Sequence, residues 1–442
     1  MFQTAQPICV SAFFKDLYIV QGAENIKEMF KNSWASTSTF LHEFSLRYAF
    51  GMSEKADDSG GGPKPRPGST VEARIRVDYR SYQTTTQLLS GSGFRPFWHR
   101  YRINITSRLR GHSISSEWQS LPDFMHLFES EVSGALMDAL CGKHLLHRNP
   151  DFLRDLWQLD RHLDTLFKGI SPNLCSENSF ARENFEPSGT EPSGDDPFWG
   201  SRFFRDRQKI FLEMDGMDYD AIASEDFGAI WASTRNSVMA AFWMALEIFH
   251  DPAMLESVRE EVRACTTDAP GKLFDTDRLL LSPLLQSIYA ETLRLRVHIF
   301  MSAPRTESVW NTSREDNHPV DGFWAEHFLK FSGIGGSGPR KRIATMNAQT
   351  STLSRASLGP IFAPEDVEGA WIPYGGGPRM CRGRHFAKRE MILTAAIMVT
   401  LFDCEILADV RSLKMDMKGV GFGTLGVEGA VPVRIRRRKT NP

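Results

Sequence analysis

The stretch Trp371-Ile372-Pro373-Tyr374-Gly375-Gly376-Gly377-Pro378-Arg379-Met380-Cys381-Arg382-Gly383-Arg384 decides how this chain is read. Three glycines between two prolines exclude a helix or a central strand. They predict a tight, open loop whose backbone approaches something closely. The loop delivers one cysteine, with Arg379 two residues before it and Gly383 two residues after. A helical pattern follows from His385 to Phe402. The helix N-terminus and the neighbouring cations are expected to lower the Cys381 thiol pKa. A thiolate suits a soft metal site, and haem iron is one.

Composition sets outer bounds. A chain of 442 residues can bury a sizeable core. A net charge of -2 excludes a dedicated nucleic-acid binder. The six cysteines are scattered without a CxxC pair, which fits reduced thiols and not a disulfide framework. No stretch reaches the roughly 18 apolar residues of a membrane span.

Other signals are spread along the chain. Cys9–Phe14 and Leu17–Val20 read as a hairpin, followed by a short amphipathic helix through Ile26, Met29 and Phe30. Trp98 and Arg102 lie four apart, on one face of a helix that follows Pro96. Helices are expected over 121–142 and 151–168. Segments 52–70, 176–200 and 331–360 are rich in Gly, Pro, Ser and charge and read as flexible loops. Ser224-Glu225-Asp226 is expected to start a long, largely apolar, buried helix that ends at Asp251-Pro252. Ser282-Pro283 starts another, which carries Glu291 and Arg294 three apart on one face. Apolar neighbours there demand further partners for a buried pair.

The run Tyr374-x-x-Gly377-x-Arg379-x-Cys381-x-Gly383 resembles the haem-ligand signature of the cytochrome P-450 family, with Tyr374 where Phe is usual. Glu291-x-x-Arg294 and Trp98-x-x-x-Arg102 resemble two more of its motifs, in the right order. The resemblance implies a mainly α fold, a large helical bundle around haem with a small β-sheet region, in one domain spanning 1–442. It implies a chain short at its N-terminus, lacking the family's membrane anchor and first helix, and short again at 301–310. Cys381 would be the axial ligand of haem b iron, and Trp98, Arg102 and Arg379 would hold its propionates. His327, in Ala325-Glu326-His327-Phe328, stands where the family pairs an arginine with the Glu-x-x-Arg, which implies a weaker lock. On the long central helix, Asn236 occupies the place of the family's proton-relaying threonine, with Ser237 as the other candidate. The surrounding pattern is similar to the branch that holds prostacyclin synthase, the bile-acid sterol hydroxylases and fungal relatives.

The implied function is a haem-thiolate monooxygenase acting on a lipophilic small molecule, a terpenoid, sterol or polyketide of secondary metabolism. Electrons would come from an NADPH-dependent flavoprotein reductase docked on a basic patch that includes Arg382, Arg384, Lys388 and Arg389. The implied location is the cytosolic surface of the endoplasmic reticulum membrane. Two other readings stand beside it. One is an isomerase or dehydratase acting on a peroxide without a reductase. The other is a truncated, non-catalytic homologue.

Overall fold

The structure, a computed structural model, describes residues 8–12, 15–20, 22–31, 39–52, 72, 76–166, 198–214, 216–267, 273–299, 321–330, 360–364, 371–377 and 380–439. Arg379, segment 301–310 and nearly all of 52–70, 176–200 and 331–360 lie outside the described residues.

The described fold is mainly helical, with small antiparallel sheets. The hairpin forms with shifted bounds: β1 (Ile8–Ala12) pairs with β2 (Lys15–Ile19), so Lys15 and Asp16 join the second strand instead of separating the two, and Ile8 faces Ile19. Then come α1 (Ala23–Lys31), α2 (Thr39–Tyr48), α3 (Val77–Ser90) and α4 (Phe94–Gly111). Pro96 falls in the first turn of α4, where its missing N–H costs nothing. The expected 121–142 helix divides. Gln119–Leu121 is strand β3, and the helical run ends in α5 (Ser133–Leu140). Next are α6 (Phe152–Leu166) and α7 (Phe203–Leu212).

The long helix, α8 (Tyr219–His250), begins five residues before the expected start at Ser224. Its N-cap is Asp218, whose carboxylate accepts from the Ala221 N–H at 2.9 Å. The acidic pair Glu225-Asp226 is not a capping signal. It is buried inside the helix and faces an arginine. The other end was legible: Asp251 accepts from Ala253 and Met254 N–H and opens α9 (Pro252–Ala264).

Helix α10 (Pro283–Arg296) starts at the expected proline. Its cap comes from another helix: Glu261 of α9 accepts from the Leu284 and Leu285 N–H groups at 2.9 and 3.1 Å. Strand β4 (Val297–Ile299) follows directly. Short β5 (Leu329–Lys330) and β6 (Ile361–Phe362) pair with each other. Helix α11 (Arg384–Leu401) leaves the cysteine loop and runs into β7 (Phe402–Ile406). Strand β8 (Phe422–Thr424) pairs with β4, and β9 (Val433–Arg437) lies between β3 and β7.

Helices α8 and α11 are the spine. They pack on each other and on α9 and α10, and Phe242, Trp243, Met244, Ile392, Ala396 and Ile397 on these two helices are buried. Burial of that many large apolar side chains, at about 1.5–3 kcal/mol each, dominates the stability of this layer. Among the described residues no single helix is long and apolar enough to cross a membrane.

Candidate haem and substrate site

The cysteine loop is held open by its own backbone and by α10. Gly375 and Gly377 have φ of 68° and 64°, a region that favours glycine. The Gly375 N–H donates to Ile372 O and the Cys381 N–H to Tyr374 O, each at 2.9 Å. Trp371 Nε1 donates to the Ala290 carbonyl of α10 at 3.1 Å, and the Tyr374 and Tyr289 hydroxyls meet at 2.9 Å. Tyr374 thus fills the usual phenylalanine position and adds a polar anchor that phenylalanine lacks. Gly376 admits α1: a Cβ there would be driven into the Phe30 ring.

The Cys381 thiol opens into a cavity of about 580 Å³ between this loop and α8. The size suits a ligand site, typically about 300–1,000 Å³. One wall carries Cys381, Gly375 and Gly383; the opposite wall is Ala232, Asn236 and Ala240 of α8; β8 closes one side with Phe422 to Thr424.

The expected lowering of the thiol pKa is not found. Burial pushes the Cys381 thiol above its ordinary value. Hydrogen bonds from the Gly383 and Arg384 N–H groups, and the Arg384 charge, pull the other way without reversing it. The helix start and cations exist, but protein around the sulfur costs the thiolate more than they return. A coordinating metal ionises such a thiol outright.

A haem fits these residues. Among the described residues no group of three or more His, Cys, Asp or Glu gathers as a metal site. Cys381 on a glycine-lined, largely apolar wall suits a flat macrocycle that brings further metal ligands of its own.

Glu291, Arg294 and His327 come together in the core. Arg294 Nε and Nη2 donate to the two Glu291 oxygens at 2.7 and 2.8 Å. His327 Nδ1 lies 2.8 Å from Glu291 Oε2, and the Trp324 N–H donates to Oε1 at 3.1 Å. The His327 ring stacks on Trp324, with centroids 5.4 Å apart. Burial would raise the Glu291 pKa, but the hydrogen bonds and charges of Arg294 and His327 bring it below the ordinary value. Histidine thus makes a full contact in this lock.

Trp98 packs against Tyr101 and Phe386. Arg102 sits on the outer face of α4, with Nη2 3.2 Å from His99 Nδ1. Neither is among the described residues lining the cavity. Of the basic patch, Arg382 does line it, with its guanidinium 4.6 Å from the Tyr82 ring centre. Lys388 turns inward over the Tyr289 and Phe362 rings.

Asn236 and Ser237 both line the cavity. The carboxamide oxygen of Asn236 accepts from the Thr424 N–H at 2.8 Å. Ser237 Oγ donates to the Ser233 carbonyl at 3.2 Å. In the sequence Arg235 stands out only as the neighbour of Asn236, and Gly423 only within the stretch 421–425, which by resemblance touches substrate. The structure puts Gly423 on the cavity wall, in strand β8.

Comparison with known proteins identifies the family. The family model described as Cytochrome P450 matches residues 362–431, which hold the cysteine loop and the run from α11 to β8. The chain is 32% identical to cytochrome P450 monooxygenase fsoE of Humicola fuscoatra, over 96% of this chain and 80% of that one. It is 30% identical to cytochrome P450 monooxygenase efuG of Hormonema carpetanum, over 96% and 82%. It is 24% identical to prostacyclin synthase of Homo sapiens, over 65% and 60%. A thiol-walled cavity against the longest described helix, a buried Glu-x-x-Arg pair, and this likeness along almost the whole chain lead to one conclusion: the chain belongs to the cytochrome P450 family, with haem b as its cofactor.

Proposed function

We propose that this cytochrome P450 monooxygenase oxidises a lipophilic small molecule of terpenoid, sterol or polyketide type in secondary metabolism. The observation that carries the reading is the cavity itself. Its walls are mostly apolar, with a few polar side chains on α3 and α8, and it ends on the Cys381 thiol. The fungal relatives named monooxygenases support the reaction class. Haem, when bound, supplies the oxidising chemistry, and a thiolate ligand favours O–O cleavage. Cys381 would hold the iron. By resemblance Arg379 would hold a propionate, as would Trp98 and Arg102, although neither of these two is among the described residues on the cavity wall. Glu291, Arg294 and His327 fix the segment beneath the loop. The cavity walls bind substrate by burial and keep bulk water out. Electrons come from an NADPH-dependent flavoprotein reductase at the cytosolic surface of the endoplasmic reticulum.

One observation favours a second reading, rearrangement of a peroxide without a reductase. The central helix offers a carboxamide at Asn236, which has no proton to relay as an acid would. The likeness to prostacyclin synthase points the same way.

The reduced carbon monoxide difference spectrum, beside a Cys381→Ala variant, tests the common core of both readings. A red-shifted Soret band lost in the variant is expected. No haem band in the wild-type protein overturns both and leaves the non-catalytic homologue. Turnover that requires NADPH and reductase, and is not replaced by peroxide alone, then separates oxidation from rearrangement.

A further inference from the structure

Two consecutive residues of α8 grip one residue of β8 by both its backbone groups. Asn236 Oδ1 accepts from the Thr424 N–H at 2.8 Å, and Arg235 Nη1 donates to the Thr424 carbonyl at 2.8 Å. Arg235 Nη1 also reaches Asn236 Oδ1, at 3.3 Å. Arg235 is itself buried and fixed. Its Nε lies 2.7 Å from Asp160 Oδ1, the oxygen that also accepts from Trp231 Nε1 at 2.7 Å. Gly423 makes the approach feasible: its φ is 118°, and a Cβ there would collide with Asn236 Oδ1.

A carboxamide has one accepting end and one donating end, and its partners decide which way it turns. Both partners here are donors, so they take the oxygen. The NH2 end is left to the cavity that Asn236 lines. A hydroxyl at this place would accept and donate in turn; an amide held this way only donates.

We propose that Arg235 and the Thr424 backbone are positioning groups that hold Asn236 as a fixed hydrogen-bond donor facing the cavity. The site then favours a substrate that presents an oxygen acceptor (carbonyl, ether, hydroxyl or peroxide) toward α8. The proposal rests on the haem-thiolate reading. It gives Asn236, at the place of the family's proton-relaying threonine, a different task, recognition of substrate at the cavity wall.

The test uses the haem-loaded protein and carbon monoxide as the smallest acceptor ligand. The C–O stretch responds to a nearby donor, while the Soret band of the same complex reports the thiolate ligand independently. Loss of the Soret band fails the haem-thiolate reading; the stretch speaks only to Asn236. With the band present, Asn236→Ala is expected to raise the stretch. Asn236→Asp keeps an acceptor for Thr424 and Arg235 but offers no N–H, and is expected to raise it too. Arg235→Met removes one of the two donors and is expected to split the band as both amide orientations populate. Hydrogen exchange at the Thr424 amide gives a readout that does not depend on haem. It is expected to quicken about tenfold in Asn236→Ala, for loss of one hydrogen bond, and to stay unchanged in Asn236→Asp. A single unshifted stretch in all three variants overturns the proposal, as does Thr424 exchange that ignores Asn236→Ala.

Discussion

Two buried glutamates respond to pH in opposite senses. Burial acts to raise the Glu291 pKa, but Arg294 and His327 outweigh it and hold the carboxyl below its ordinary value. Its contribution is therefore present above the unfolded value, about 4.3, and lost as pH falls through the folded one. Glu291→Gln leaves Arg294 buried against a neutral group and is expected to cost about 3–5 kcal/mol at pH 7. In urea melts the gap to wild type closes below about pH 4. Glu390 of α11 is the reverse case. It is fully buried, and burial lifts its pKa to about 8, with the Ser237 and Tyr101 hydroxyls pulling the other way. An acid with a raised folded pKa loses stability as pH climbs from its unfolded value through its folded one. Glu390→Gln, which stays neutral at every pH, is thus expected to be the more stable protein at pH 8, by roughly a few kcal/mol. Thermal melts at pH 5 and 8 check it: the difference shrinks to about 1 kcal/mol at the lower pH, and an equal effect at both overturns the assignment. Glu291 was legible because its partner sits three residues away. Glu390 was not, since the hydroxyls that face it come from α4 and α8.

The elements around α8 are tied by a buried ion cluster that no local pattern announces. Arg207 of α7 donates through Nε to Asp226 at 2.6 Å, through Nη2 to Glu225 at 3.2 Å and through Nη1 to Thr84 of α3 at 3.3 Å. Ser81 of α3 also donates to Glu225, and His42 Nε2 of α2 lies 3.1 Å from it. Four helices thereby meet at one cluster. Glu225 is lowered to about 2: burial raises it, but His42, Arg207 and Ser81 outweigh that. Asp226 is raised to about 6 because burial outweighs Arg207 and Glu225 adds to it. Arg207→Met strands two buried carboxylates and is expected to destabilise the fold by about 3–5 kcal/mol in urea. Because Asp226 is favoured when protonated, the loss is expected to be larger at pH 8 than at pH 5. A variant melting like wild type at both would mean that the cluster is not coupled to folding. The same cluster explains the misplaced start of α8. Ser224-Glu225-Asp226 has the chemistry of a helix cap, but the two carboxylates face α2, α3 and α7. Only their tertiary neighbours distinguish a cap from a buried charge pair.

Over the whole molecule, the sequence by itself determined the family, the thiol that faces the cavity, the long buried helix and the Glu-x-x-Arg pair. Each of these is written in local spacing: glycines that permit a loop, a three-residue step that puts two side chains on one helix face, an aspartate and proline that stop one helix and begin the next. Tertiary structure decided what depends on residues far apart in the chain. It made the Cys381 thiol harder to ionise, because burial of the sulfur outweighs the helix and cations nearby in sequence. It decided that His327 completes the lock, because the ring arrives from 36 residues away at hydrogen-bonding distance from Glu291. It turned the Asn236 amide, because Thr424, 188 residues on, claims the oxygen. Spacing along a chain fixes which side chains share a face; burial, and the partner on the opposite face, fix their charge and orientation.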